Sequence, residues 1–200
     1  MKIAILGGSF DPPHIGHILI AEQVREILNM DQIWLMPNFK HAFAKAQTPI
    51  LHRKKMVNLI QSDLINFSEL EINREGISYT IDTLTSLTTE FRLNEFFWIL
   101  GSDQLESFQK YKNWKKIVAN HNLIIFPRES IITEIESKVK KFLDLKSLPE
   151  NIIILNNPDL VLTNISSTVI RERVKENKSI KYMVPEVIEK YIFENKLYEK

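Results

Sequence analysis

Short apolar runs alternate along the chain with longer segments whose apolar residues recur every three or four positions. The short runs predict strands, and several are nearly all apolar, which is typical of parallel strands buried on both faces of a sheet. The predicted strands are Lys2–Leu6, Gln32–Met36, Glu69–Ile72, Glu95–Leu100, Asn122–Phe126 and Asn151–Leu155. The predicted helices are Gly16–Asn29, His52–Gln61, Thr80–Phe91, Leu105–Ala119, Glu134–Leu143, Ser167–Glu176 and Pro185–Asn195.

This alternation predicts an α/β fold: a Rossmann-like, doubly wound, mostly parallel sheet with helices on both faces. A chain of 200 residues favours a single domain over residues 1–200, with residues 166–200 as a helical C-terminal portion. The segment Pro37–Pro49 has the composition of a loop. At about 13 residues it is long for a passive connection, so we expect it to cover a ligand.

The composition narrows the class of protein. Lys and Arg number 26 against 25 Asp and Glu, a net charge of +1, which argues against a general nucleic-acid binder. The sequence has no cysteine, so disulfides and thiolate zinc sites are excluded, and a cytoplasmic location fits. No apolar run approaches the ~18 residues of a membrane span, and the N-terminal run is too short for a signal peptide.

The most informative segment follows the first predicted strand and reads Gly7-Gly8-Ser9-Phe10-Asp11-Pro12-Pro13-His14-Ile15-Gly16-His17. Two glycines allow a tight turn and a close approach of the backbone to a ligand, although a plain turn would explain them equally well. Free N–H groups at the turn and at the following helix start make an anion site. The segment is neither a Walker loop nor a Gly-x-Gly-x-x-Gly fingerprint.

The two histidines of this segment strengthen the phosphate interpretation. His14 and His17 are three residues apart, so they share one face if the segment is helical. Both could then donate hydrogen bonds to phosphate oxygens. A metal pair is the weaker alternative, because no third ligand has suitable spacing.

Residues Gly7 to His17 resemble the His/Thr-x-Gly-His element of the nucleotidyltransferase superfamily, which class I aminoacyl-tRNA synthetases share. From Lys2 to about Tyr198 the chain resembles the bacterial nicotinate-nucleotide adenylyltransferases. That resemblance implies transfer of the adenylyl group of ATP to nicotinate mononucleotide, with deamido-NAD and pyrophosphate as products. It also implies Mg²⁺ carried with the ATP phosphates rather than held by a protein site.

The resemblance assigns His14 and His17 as catalytic residues. A second motif, Ser167-Thr168 followed by Arg171, places hydroxyls and N–H groups at a helix start with an arginine one turn in, which suits a phosphate clamp. Ordinary helix capping is the alternative for these residues. The ATP-binding residues that the resemblance implies are Gly7, Gly8, Ser9, Phe10, His14, His17, Gly101, Asp103, Ser167, Thr168 and Arg171.

The resemblance also implies that the mononucleotide contacts Thr80, Tyr111 and the backbone near Lys112. Thr80 stands at a predicted helix start, whose N–H groups suit the nicotinate carboxylate. Tyr111 takes the place of a tryptophan that usually stacks on the pyridine ring in the family, which keeps an aromatic face with less area. Trp114 is expected in the core. Asp103 follows a buried strand, at an end that lines the ligand crevice of open sheets. The resemblance implies that it contacts a ribose hydroxyl; capping of the next helix is the alternative, and both can hold.

The loop after Pro37 departs from the family pattern, so either Lys40 or Lys45 could contact the triphosphate. Arg128 matches a family position near the adenine, but it could equally be a surface arginine.

Two other functions are alternatives to nicotinate-nucleotide adenylyltransferase. One is a different enzyme, phosphopantetheine adenylyltransferase, and the other is a non-catalytic nucleotide-binding regulator. A homo-oligomer is a possible assembly.

Overall fold

The computed structural model describes residues 1–43, 47–128 and 132–199. Within these ranges the strands are β1 Lys2–Gly8, β2 Gln32–Pro37, β3 Lys40–His41, β4 Ile65–Phe67, β5 Ile77–Ser78, β6 Glu95–Gly101, β7 Asn122–Phe126 and β8 Ile152–Ile154. The helices are α1 Ile15–Ile27, α2 Ile50–Asn58, α3 Leu70–Arg74, α4 Thr80–Glu90, α5 Leu105–Phe108, α6 Trp114–Asn120, α7 Ile132–Phe142, α8 Ser167–Lys175 and α9 Glu186–Glu194. A short 3₁₀ turn at Ser102–Gln104 precedes α5.

The main sheet of the described chain has six strands in the order β4-β2-β1-β6-β7-β8. All of its neighbouring strands run parallel, which requires a crossover between each pair. The two short strands β3 and β5 form a separate parallel pair. The predicted α/β class with a doubly wound parallel sheet is therefore confirmed.

Helices cover both faces of the sheet, and the sequence of β1 shows why. Ile3 and Ile5 belong to one buried cluster, whereas Ala4 and Leu6 belong to the cluster on the other side. Successive residues of a strand point to opposite faces. Both sets are almost fully buried, so β1 must be apolar throughout.

The topology creates a crevice beside β1. From β1 the chain builds outward through β2 to β4, and it then returns to β6 on the other side of β1. The connections leaving the carboxyl ends of β1 and β6 therefore diverge, and a crevice opens between them. Ligands of open α/β sheets bind at this switch point.

Two predicted elements were wrong. The expected strand Glu69–Ile72 is the helix α3, and the sheet edge is filled by β4 instead. The Ser68 hydroxyl accepts the N–H of Leu70 at 3.5 Å, which favours a turn over an extended strand. The expected helix Leu105–Ala119 is divided into α5 and α6, because Asn113 between them takes a left-handed conformation with φ 53°.

The C-terminal helices share a third buried cluster with the first part of the chain. Met56 of α2 packs there with residues of α8 and α9, including Ile170 and Ile188. The backbone N–H of Ile15 also donates to the carbonyl of Met183 at 3.0 Å. The C-terminal portion is thus anchored beside the start of α1. None of the helices in the described ranges has the length and hydropathy of a membrane span.

Adjacent residues of α9 should separate core packing from helix formation. Ile188 is 0% exposed and Val187 is 48% exposed. Ile188→Ala should lower the free energy of unfolding by about 2–5 kcal/mol, because it leaves a cavity in the third cluster. Val187→Ala should lower the free energy of unfolding by less than about 1 kcal/mol. Urea unfolding measures both, and equal losses would contradict this packing.

Candidate active site

A cleft of about 700 Å³ opens at the switch point of the sheet. Residues from the carboxyl ends of β1 and β6 form its floor, and α4 and the segment before α6 form its far wall. The predicted site residues that line it are Gly7, Gly8, Ser9, His17, Thr80, Gly101, Asp103, Tyr111 and Lys112. The fold therefore gathers into one cleft residues that are up to 105 positions apart in sequence (Gly7 to Lys112).

Gly7 is needed for a reason that its sequence context does not reveal. It lies within β1, and a Cβ there would collide with the indole of Trp98 on the neighbouring strand β6. Trp98 itself lines the cleft. A glycine at this position therefore lets an aromatic side chain form the floor directly beside the turn.

His14 and His17 lie together at the start of α1. Their rings stack with centroids 3.8 Å apart and planes at 27°. His14 has an extended backbone as the residue preceding the helix, and its N–H donates to Nδ1 of His17 at 3.2 Å. Because Nδ1 of His17 is an acceptor, the proton of the neutral ring lies on Nε2. His17 thus retains an N–H donor for a ligand in the cleft.

Burial keeps both imidazoles neutral at pH 7. It lowers the pKa of His14 to about 4, with a smaller contribution from the positive charge of Arg128. Burial also lowers the pKa of His17 well below its ordinary value, and His14 and Arg128 add to that shift. The pair therefore presents N–H dipoles rather than imidazolium charges.

Phe10 supports His17 from behind instead of lining the cleft. It is 1% exposed, and its ring centroid lies 4.8 Å from that of His17. Its backbone is left-handed, with φ 50°. A contact between Phe10 and ATP would therefore have to come from its backbone.

Ser167, Thr168 and Arg171 lie beside the histidine turn rather than on the cleft wall. The Ser167 hydroxyl donates to the carbonyl of Pro12 at 2.8 Å. Nη1 of Arg171 donates to the carbonyl of Asp11 at 2.7 Å, and its Nη2 donates to Oγ1 of Thr168 at 3.2 Å. The start of α8 is thus tied to the turn that precedes His14.

The side chain of Asp11 is a junction that the sequence did not reveal. Asp11 is 4% exposed, and its two carboxylate oxygens accept the N–H of Thr48 at 3.0 Å and the hydroxyl of Tyr198 at 2.8 Å. Burial and the Asp11 carboxylate raise the pKa of Tyr198, so its hydroxyl stays protonated and remains a donor. Residues 187 positions apart therefore meet under the histidine turn.

Arg53 fills the space next to this junction. It is 1% exposed, and its guanidinium donates to the carbonyls of Ser9, Asn38, Phe39 and Thr48 at 2.8–3.0 Å. Burial lowers its pKa, and the charge of Asp11 opposes that shift. The spacing of Arg53 to the buried Met56 and Val57 of α2 is the signal that identifies it as an inward-facing residue.

The ends of β6 and β7 place two opposite charges side by side in the cleft. Nε of Arg128 lies 3.8 Å from Oδ1 of Asp103. The backbone N–H of Arg128 donates to the Ser102 hydroxyl at 2.9 Å. A Cβ at Gly101 would collide with the Asp103 carboxylate. Arg128 is therefore a residue of the cleft and not a remote surface arginine.

The opposite end of the cleft combines an aromatic ring with a helix start. Tyr111 packs on Phe108 at a centroid distance of 4.8 Å and donates its hydroxyl to Gln104 at 3.0 Å. Burial raises the pKa of Tyr111 to about 12, and Asp103 adds to the shift. Lys112 binds Asp82 of α4 at 2.9 Å and lies 4.6 Å from the centre of the Tyr79 ring.

The loop over the cleft contributes His41, Ala42 and Phe43 to the lining. Lys40 is exposed in β3 and does not line the cleft, and Lys45 lies outside the described residues. Trp114 begins α6 and packs against the core, as expected. Within residues 1–43, 47–128 and 132–199, no group of three or more His, Asp or Glu side chains could hold a metal ion.

A doubly wound parallel sheet with paired histidines at its switch point defines the class of α/β nucleotidyltransferases. Residues 5–173 match the cytidylyltransferase-like family. The chain is 36% identical to a probable nicotinate-nucleotide adenylyltransferase of Dictyoglomus thermophilum, over 99% of this chain and all of the relative. It is 38% identical to the nicotinate-nucleotide adenylyltransferase of Bacillus subtilis (strain 168), over 99% of this chain and 98% of that one. The chain therefore belongs to the nicotinate-nucleotide adenylyltransferase family.

A solved structure supports the same fold. It is that of Plasmodium falciparum nicotinic acid mononucleotide adenylyltransferase complexed with NaAD, with a TM-score of 0.80 at 24% identity. The alignment covers 98% of this chain and 97% of that one.

The lowered pKa of His14 has a consequence for stability. Between about pH 6.5 and 4 the unfolded chain binds a proton at this residue and the folded protein does not, so stability falls as the pH falls through that window. His14→Asn should flatten the dependence, with a difference of up to about 3 kcal/mol between pH 7 and pH 4. Urea unfolding across this range measures it. Parallel curves for the two proteins would contradict the burial of a neutral His14.

Proposed function

We propose that the protein transfers the adenylyl group of ATP to nicotinate mononucleotide, giving deamido-NAD and pyrophosphate. One observation carries the proposal: a single cleft has the neutral His17, stacked on the buried His14, at one end and a helix start with an aromatic ring and a lysine at the other. The first end suits phosphates, and the second suits a planar ring that bears a carboxylate. Membership of the nicotinate-nucleotide adenylyltransferase family supports both assignments.

In the reaction an oxygen of the mononucleotide 5′-phosphate attacks the α-phosphorus of ATP in line. The bond from the α-phosphorus to the oxygen bridging to the β-phosphate breaks, and pyrophosphate leaves with the electron pair. The nucleophile is already an anion at pH 7, so no general base is required. The protein's contribution is positioning and stabilisation of charge on the phosphoryl oxygens.

We assign the donor roles from the geometry at the start of α1. His17 lines the cleft with its N–H on Nε2, so it donates to the α-phosphate as charge develops. His14 orients that ring through its backbone N–H and by stacking. His14 is buried beneath it at 3% exposure, so a direct bond from His14 to phosphate would require the turn to shift.

The leaving pyrophosphate is assigned to the start of α8. A guanidinium carries five N–H donors, and the carbonyl of Asp11 and the hydroxyl of Thr168 engage two atoms of the Arg171 group. The remaining donors of Arg171 and the N–H groups at the start of α8 suit the β- and γ-phosphates. Mg²⁺ would be bound mainly by the phosphates, where it neutralises charge on the leaving group.

The cellular location and the oligomeric state of the protein are also inferred. A cytoplasmic location accords with a sequence without cysteine. A homo-oligomeric state stays a prediction.

The proposed acceptor is tested by comparing three acceptors. With ATP, kcat/KM for nicotinate mononucleotide should exceed that for nicotinamide mononucleotide by at least about 100-fold, because an amide presents an NH₂ group to donors that a carboxylate satisfies. Phosphopantetheine should not react. Pyrophosphate release measures all three. A preference for the amide or for phosphopantetheine would overturn the acceptor assignment while leaving adenylyl transfer intact.

The role of the histidines is tested at the level of turnover. His17→Ala should lower kcat by about 10²–10³-fold, the usual loss on removing one donor to a developing oxyanion. His121 provides the control, because it lies just before β7, at the amino ends of the strands and away from the carboxyl ends that line the cleft. His121→Ala should leave kcat within a factor of about two. Near-normal turnover by a folded His17→Ala enzyme would remove His17 from the mechanism.

A further inference from the structure

Glu71 is a buried carboxylate at the acceptor end of the cleft, and the proposed reaction gives it no role. It is 4% exposed, yet it is one of the residues that line the cleft. It lies in α3, the helix found where the sequence pattern predicted a strand. A carboxylate in such a position is costly unless its oxygens receive hydrogen bonds.

The first partner of Glu71 is Thr83 of α4. The Thr83 hydroxyl donates to Oε1 of Glu71 at 2.6 Å, and Nη2 of Arg74 donates to that hydroxyl at 2.9 Å. Arginine can only donate. The same hydroxyl lies 3.3 Å from the carbonyl of Tyr79, so the much shorter contact with Glu71 is its main hydrogen bond as a donor. A carboxylate can only accept, which fixes the direction of that bond.

The second partner is Ser78 at the end of β5. Its hydroxyl accepts the N–H of Phe39 at 3.0 Å and forms a side-chain hydrogen bond with Glu71. Phe39 belongs to the start of the loop over the cleft. Glu71 thus joins that loop, the β3–β5 pair and α4 through two hydroxyl groups.

The charge of Glu71 is balanced within the same group of residues. Burial raises the pKa of Glu71, and the hydrogen bonds from Thr83 and Ser78 and the charge of Arg74 oppose that shift. The carboxylate is therefore satisfied by protein donors, and it has no need of a donor from the substrate. A role in positioning fits these bonds better than direct contact with the pyridine ring.

The position of the two hydroxyls shows what is held. Ser78 and Thr83 flank Tyr79 and Thr80, where α4 begins. The first N–H groups of a helix have no intrahelical acceptor, and Thr80 lines the cleft. Fixing both sides of this short segment fixes the direction in which those donors point.

We propose that Glu71 is a positioning residue that holds the start of α4 so that its N–H groups receive the pyridine carboxylate of the acceptor. It thereby sets the preference for the acid over the amide. The inference rests on the proposed function and assigns Glu71 no contact with the substrate. A residue that only stabilised the fold would affect both substrates alike, whereas Glu71 should affect the acceptor alone.

The test measures KM for each substrate in variants of this group. Glu71→Gln places an NH₂ group against a hydroxyl that is already committed as a donor, and Thr83→Val removes one of the two hydroxyls. Each should raise KM for nicotinate mononucleotide about tenfold and reduce the acid-to-amide ratio of kcat/KM by a similar factor. KM for ATP should stay within about twofold. Thr83→Ser keeps the hydroxyl and should restore most of the wild-type behaviour.

Matched controls are available in the same elements. Glu69 is next but one to Glu71 and forms a partly exposed ion pair with Lys54 at 2.6 Å. Thr85 lies two residues beyond Thr83 on the exposed side of α4 and bonds only within the helix in the described structure. Glu69→Gln and Thr85→Val should leave both KM values within about twofold.

The possible outcomes distinguish failure of the positioning role from failure of the proposed function. Unchanged KM for the acceptor in folded Glu71→Gln, or an equal rise for ATP, would overturn the positioning role while the wild-type activity still supports the proposed function. If Glu71→Gln does not fold, Thr83→Val and Thr83→Ser decide by the same criteria. Lack of turnover of nicotinate mononucleotide by the wild-type protein would overturn the proposed function, and the inference with it.

Discussion

The buried carboxylate of Asp11 is the constraint on which the histidine turn depends. Its oxygens accept from the backbone of Thr48 and from the hydroxyl of Tyr198, and its carbonyl accepts from Arg171. Leaving any of these acceptors without a donor in a buried site would cost free energy. The geometry at His14 is therefore inseparable from that of three distant parts of the chain. Arg53 extends the same network to the loop over the cleft.

Charge is arranged differently at the two ends of the cleft. Around the histidines, burial removes the positive charge that imidazoles could carry, and Arg128 supplies a fixed cation nearby. Phosphates brought against these rings would raise the histidine pKa values, since a neighbouring anion favours the charged form. Positive charge can therefore develop at this end of the cleft when an anion is bound there. At the other end of the cleft, the charges of Lys112 and Asp82 form an ion pair without any ligand.

Much of the fold could be predicted because buried parallel strands are apolar on both faces, as Ile3 to Leu6 illustrate. The error at residues 69–72 arose because four residues of mixed pattern fit a strand and a helix equally well, so the pattern alone could not choose between them. The resemblance of their motifs to the family predicted that His17, Thr80 and Tyr111 would come together, and all three line the cleft. The junctions at Asp11 and Glu71 were not predictable, because each consists of contacts between residues that only the folded chain brings together.

The contact between Asp11 and Tyr198 also affects when the histidine turn can form during synthesis of the chain. A ribosome makes the histidine turn well before it makes the partners of that turn, Arg171 and Tyr198. The β1 turn and α1 can form early, but the carboxylate beneath them waits for a hydroxyl that is synthesised 187 residues later. A nascent chain that does not yet include Tyr198 thus carries both histidines without the support that sets their positions. The geometry of the histidine turn is therefore completed only after Tyr198 has been made, and not gradually as the sheet grows.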